Sequence, residues 1–115
     1  MKILHLTLKK KWFDMILSGE KREEYREIKP YWMDRLNNVS FTHIRFVNGY
    51  GKDKPWLLIN WRGMYQGKGL CLWGAPPGKS VYILELGAIV DSGNIKPTFI
   101  VAPAVPEGKR RVSRI

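Results

Sequence analysis

This chain of 115 residues holds only one cysteine and two histidines. Cys71 has no partner for an internal disulfide, and His5 and His43 lie far apart in sequence. Neither a disulfide scaffold nor a metal cluster is expected. No apolar run reaches the ~20 residues that a membrane-crossing helix needs. The opening Met1-Lys2-Ile3-Leu4-His5-Leu6 lacks the long apolar stretch and cleavage site of a signal peptide. There are no repeats and no low-complexity tracts. These shortages together suggest a soluble cytoplasmic chain held by its core alone. It is expected to be a monomer without cofactor, metal or membrane partner. Acidic residues are also few: 10, against 20 lysines and arginines, for a net charge of +10 and a pI of about 10.0. A balance so basic favours an anionic partner, and nucleic acid is the usual one. Five tryptophans and five tyrosines supply flat faces that can stack on bases or fill a small core.

The hydrophobic fraction of 44% is that of a globular domain, and the length allows one domain, read as residues 1–108 with a basic tail at 109–115. Leu4, Leu6 and Leu8 alternate with Ile3, His5 and Thr7, the period of a half-buried strand. Trp12, Phe13, Ile16 and Leu17 then recur at helical spacing, and Ser18-Gly19 reads as the helix end. Residues 21–28 read as extended. Pro30 opens a second short helix that Asn37-Asn38 ends. From there the signals are β: Phe41 to Val47, Trp56 to Arg62, Leu70 to Trp73, Val81 to Val90, and Phe99 to Val101 as a last edge strand. Glycine and proline clusters separate them. The fold class is α+β, mainly β: a small, partly closed barrel of about six strands with two short helices over one opening.

Four of the ten carboxylates crowd between Glu20 and Glu27. The string Gly19-Glu20-Lys21-Arg22-Glu23-Glu24-Tyr25-Arg26 sets a lysine, a carboxylate and an arginine at the exit of an apolar helix. Strand alternation puts Arg22, Glu24 and Arg26 on one face, Glu23 and Tyr25 on the other. Such a run is either a solvated salt-bridge ladder worth ~0–1 kcal/mol a pair or a binding site. Glu85 stands alone in the apolar Val81-Tyr82-Ile83-Leu84-Glu85-Leu86, on the face of Val81 and Ile83. If that face points inward, the carboxylate must find a partner or lose its charge. Lys21 and Arg26 are the natural cations, so Glu85 and Lys21 are expected in one charge-paired cluster at the barrel mouth. Further basic patches lie at Lys9-Lys10-Lys11, at Lys52 and Lys54, and from Lys109 to Arg114. The turn Asn48-Gly49-Tyr50-Gly51 offers a stacking ring beside flexible backbone. Cys71 reads as core, and His5 and His43 as structural.

The spacing Gly19-x-Lys21-x-x-Glu24-x-Arg26 resembles the signature of the ASCH domain family, which has a PUA-like β-barrel. The opening Ile3-Leu4-His5-Leu6-Thr7-Leu8, the segment Phe46-Val47-Asn48-Gly49-Tyr50 and the late Tyr82-Ile83-Leu84-Glu85-Leu86-Gly87 resemble its strands. The likeness spans most of residues 2–90. It implies RNA or nucleotide binding. Some members resemble amidohydrolases of N4-acylcytidine that use a lysine where Lys21 stands, a threonine where Glu24 stands and a glutamate in a late strand. Glu24 departs from that pattern. Three readings follow. The first is a binding module in which Lys21, Arg22, Arg26, Asn48, Tyr50, Lys9 and Lys10 hold an RNA, nucleoside or nucleotide ligand. The second is an amidohydrolase with Lys21, Glu24 and Glu85 as catalytic groups. The third is a small metal-independent ribonuclease.

Overall fold

A computed structural model describes residues 1–95. The elements run β1 (Ile3–Leu8), α1 (Lys10–Leu17), β2 (Glu23–Arg26), α2 (Pro30–Leu36), β3 (His43–Asn48), β4 (Trp56–Gly67), a 3-10 turn (Cys71–Trp73) and β5 (Val81–Gly93). The five strands form one mixed sheet in the order β1-β3-β4-β5-β2. β1 and β3 are parallel, and every other pair is antiparallel. Among the described residues the sheet is not closed: β1 and β2 are its two ends. The strand expected at Leu70–Trp73 is instead the 3-10 turn, and Cys71, expected in the core, is exposed there. The expected strand Phe99–Val101 and the tail at 109–115 lie outside the described residues.

The period-two pattern of β1 survives intact: Leu4, Leu6 and Leu8 are all buried. They meet Ile44 and Phe46 of β3, Leu57 and Ile59 of β4, Tyr82, Leu84 and Leu86 of β5, and Phe13, Ile16 and Leu36 of the helices. Three register shifts between Leu58 and Gly63 bend the long pairing of β4 with β5. The first part of β4 pairs with β3, while the first part of β5 pairs with β2.

α1 ends on Gly19, whose φ of +85° is left-handed, and the amides of Ser18 and Gly19 close on Asp14 and Ile16 carbonyls. The reversal brings the Lys21 amide onto the Met15 carbonyl at 2.9 Å. Lys21 is therefore fixed by its backbone before its side chain makes any contact. No helix among the described residues is long and apolar enough to cross a membrane.

Candidate functional site

Lys21 is the largest departure from ordinary burial. Its side chain is fully enclosed, a rare position for a lysine. Nζ donates to the Glu23 carbonyl at 2.5 Å and the Trp73 carbonyl at 2.6 Å, and pairs with Glu24 Oε1 at 3.2 Å. Three acceptors match the three protons of an ammonium, so the enclosed side chain is charged and satisfied. Burial pushes its pKa below the ordinary lysine value, and Glu24 opposes that shift. The Tyr25 ring lies 4.7 Å from Nζ and adds a cation–π contact.

Glu24 is buried, and its two oxygens divide between two cations. Oε1 faces Lys21, while Oε2 accepts from Arg26 Nη2 at 2.7 Å. The Arg26 guanidinium in turn lies 5.0 Å from the Trp32 ring of α2. Its Nε is buried with no hydrogen-bond partner among the described residues. An orphaned donor on a half-buried arginine costs about 1–3 kcal/mol until an acceptor reaches it.

Glu24 and Arg26 line one wall of a cleft of about 490 Å³. Glu24, Tyr25 and Arg26 come from β2, Lys9 and Trp12 from the start of α1, and Asn48, Gly49 and Tyr50 from the turn after β3. Tyr50 is 84% exposed, a phenol ring held at the rim with no core role. Trp73 and Gly74 close the far side. Gly74 has a φ of +102°, and a Cβ there would sit 3.1 Å from the Trp12 ring, so only glycine lets the 3-10 turn lie on that indole and aim the Trp73 carbonyl at Lys21. The three lysines at the N-terminus of α1 stand at its positive end, where cations are unfavourable. Lys10 offsets this with Asp14, and Lys11 lies over Trp12 at 4.7 Å. Lys9 has no ion pair among the described residues and faces the cleft.

Of the residues singled out in sequence, Glu24, Arg26, Asn48, Tyr50 and Lys9 meet in this cleft, with Lys21 sealed behind its wall. Lys10 is exposed and turned to Asp14. Glu85 does not join them. Register pairs it with Glu23, whereas Glu24 is opposite Leu84, so Glu85 lies on the other face of the sheet. The inward residues of β5 are Tyr82, Leu84 and Leu86, one step out of phase with the inward face expected from Val81 and Ile83. Val81 and Ile83 are buried too, and a strand covered on both faces erases the alternation on which that expectation rested. The expected Lys21–Glu85 pair is thus replaced by Lys21–Glu24. Glu85 instead shares a shallow depression of about 330 Å³ with Arg22, Glu23 and Arg62. Glu23 there accepts from the Tyr25 hydroxyl at 2.8 Å and the Tyr65 hydroxyl at 3.1 Å. Burial, helped by its bond to Glu23, raises the Tyr25 pKa, and the Glu23 bond raises that of Tyr65.

Sequence reasoning missed Trp12, Trp32 and the Trp73 carbonyl. Every residue carries a carbonyl, so nothing in the residue types marked that one. Among the described residues no three His, Cys, Asp or Glu side chains gather as a metal site would need. The chain matches no protein-family model, no curated protein and no solved structure.

Proposed function

We propose that this is an ASCH-type, PUA-like RNA- or nucleotide-binding protein whose cleft at Glu24, Arg26, Asn48 and Tyr50 holds a single nucleobase with its sugar-phosphate. The observation that carries the reading is the Lys21–Glu24–Arg26 chain of charge at the cleft wall. A surface ladder would leave all three solvated. Here the lysine is enclosed and the carboxylate buried, so the arginine is held in one orientation. A fixed guanidinium and the Asn48 amide read the polar edge of a base, the Tyr50 ring stacks on its face, and Lys9 receives the phosphate. The barrel of the ASCH family belongs to the same proposal.

Binding is favoured over hydrolysis for a chemical reason. A nucleophilic lysine needs a free lone pair, and all three Nζ protons are committed to acceptors. Glu85 is on the opposite face, too poorly placed to serve as its base. Lys21 is thus a positioning residue for Glu24. The test is a panel of nucleosides, N4-acylcytidines and short RNAs mixed with the pure protein and scored for both product and heat of binding. Saturable heat without product is the expected result, with micromolar or weaker affinity that falls as salt rises. Turnover of an acylcytidine or cleavage of RNA overturns the binding reading.

A further inference from the structure

We infer that the cleft is one end of a longer groove, and that its ligand is a single-stranded RNA segment laid along the outer edge of β1. The inference rests on the nucleobase reading above. β1 is an end strand, and among the described residues no strand pairs with its other edge. Its last residues, Thr7 and Leu8, line the nucleobase cleft. Its first residues, Ile3 to His5, line a second and larger cavity of about 700 Å³ bounded by α2 and Phe41. The two cavities lie end to end along six residues of strand, about 17 Å at ~3.3 Å a step. That is longer than one nucleotide needs.

A ladder of cations and rings joins them. Glu24 holds Arg26 at 2.7 Å, and Arg26 lies 5.0 Å from the Trp32 ring. Trp32 meets Tyr31 edge-on at 4.8 Å, and Arg35 lies 4.2 Å from the Tyr31 ring. Trp32, Tyr31 and Arg35 all line the larger cavity. Tyr31 is 52% exposed, so a residue in α2 spends a large ring on solvent. A ring already braced by a guanidinium is a platform for a second base, and the exposed Lys2 and Arg35 stand where a backbone phosphate would pass. An extended peptide added to the β1 edge is the rival occupant. The exposed ring and the cations favour RNA, because edge pairing alone asks for neither.

The experiment titrates the full chain with cytidine and uridine 5′-monophosphates, then with oligocytidine and oligouridine from dinucleotide to hexanucleotide, and with an acidic hexapeptide. Affinity is expected to rise about tenfold or more with length. The Tyr31→Ala, Arg35→Gln double variant should abolish that gain and leave monophosphate affinity unchanged. Monophosphate binding with no gain in length, or a gain that survives the double variant, overturns the groove and leaves the nucleobase cleft standing. Absence of binding by monophosphates and oligomers alike overturns the cleft reading and the groove with it. Peptide binding lost in the double variant, with no length gain for RNA, assigns the edge to a peptide and overturns the inference.

Discussion

Replacing Lys21 tests the charge arrangement at its root. The side chain has no solvent contact, so a substitution cannot be rescued by water at that atom. Lys21→Met keeps most of the volume and removes the ammonium. Glu24 then keeps Arg26 alone, and the Glu23 and Trp73 carbonyls lose their donor. Removing one partner from a buried ion pair costs about 3–5 kcal/mol, because the other charge stays buried without it. The total stability of a domain this size is about 5–15 kcal/mol, so the loss is a large part of the whole. With a urea slope of about 1–2 kcal/mol/M, the unfolding midpoint followed by tryptophan fluorescence should fall by about 1.5 M or more. Adding Glu24→Leu to Lys21→Met removes the stranded carboxylate and should recover part of that fall. A Lys21→Met unfolding free energy within about 0.5 kcal/mol of the parent would refute the reasoning, and would make Lys21 an ordinary packed side chain.

The remaining predictions concern individual contacts. Tyr50→Ala should weaken nucleotide binding about fivefold or more by calorimetry and leave the urea midpoint unchanged, since the ring is 84% exposed. Gly69→Ala should destabilise the fold by about 1–3 kcal/mol, because its Cβ would overlap the Tyr25 ring; an unchanged melting curve would show that the ring gives way freely. Stability should fall in alkali: burial and Glu23 hold the Tyr25 phenol protonated while the unfolded chain begins to ionise near its ordinary value of 10.0. The unfolded state then binds fewer protons, so this contribution is complete below about pH 10 and lost as pH rises through the raised folded value. Lys21, with its lowered pKa, acts in the opposite sense on approach to 10.5, and Tyr25→Phe should therefore flatten the alkaline fall while Lys21→Met should steepen it.

The elements whose periodicity is governed by one buried face were legible. Leu4, Leu6 and Leu8, and Phe13 with Ile16, fall where spacing put them. The Ser18-Gly19 stop and the Pro30 start hold because backbone chemistry is local. The string 19–26 was legible as a concentration of charge, and Asn48 with Tyr50 as a turn, but that the two meet in one cleft was not. Two further things were not. β5 is covered on both sides along Val81 to Leu84, so its pattern could not tell which face meets the helices, and Glu85 was assigned to the wrong side. Leu70 to Trp73 has the apolar content of a strand but sits between left-handed Gly74 and the Gly67–Gly69 link, where a 3-10 turn fits and a strand does not. The choice of Glu24 over Glu85 as partner for Lys21 depends on the close return at Gly19, a three-dimensional fact that charge spacing alone does not contain.

Amide shift mapping on the full chain is the most direct test of the nucleobase cleft. On titration with cytidine or uridine 5′-monophosphate, the backbone signals of Lys9, Asn48, Gly49, Tyr50 and Gly74 and the indole signal of Trp12 should move together to saturation. Those of Glu85, Arg62 and Arg22 should stay in place. Saturable shifts confined to the Arg22, Arg62 and Glu85 depression, or none anywhere at millimolar nucleotide, would contradict the account.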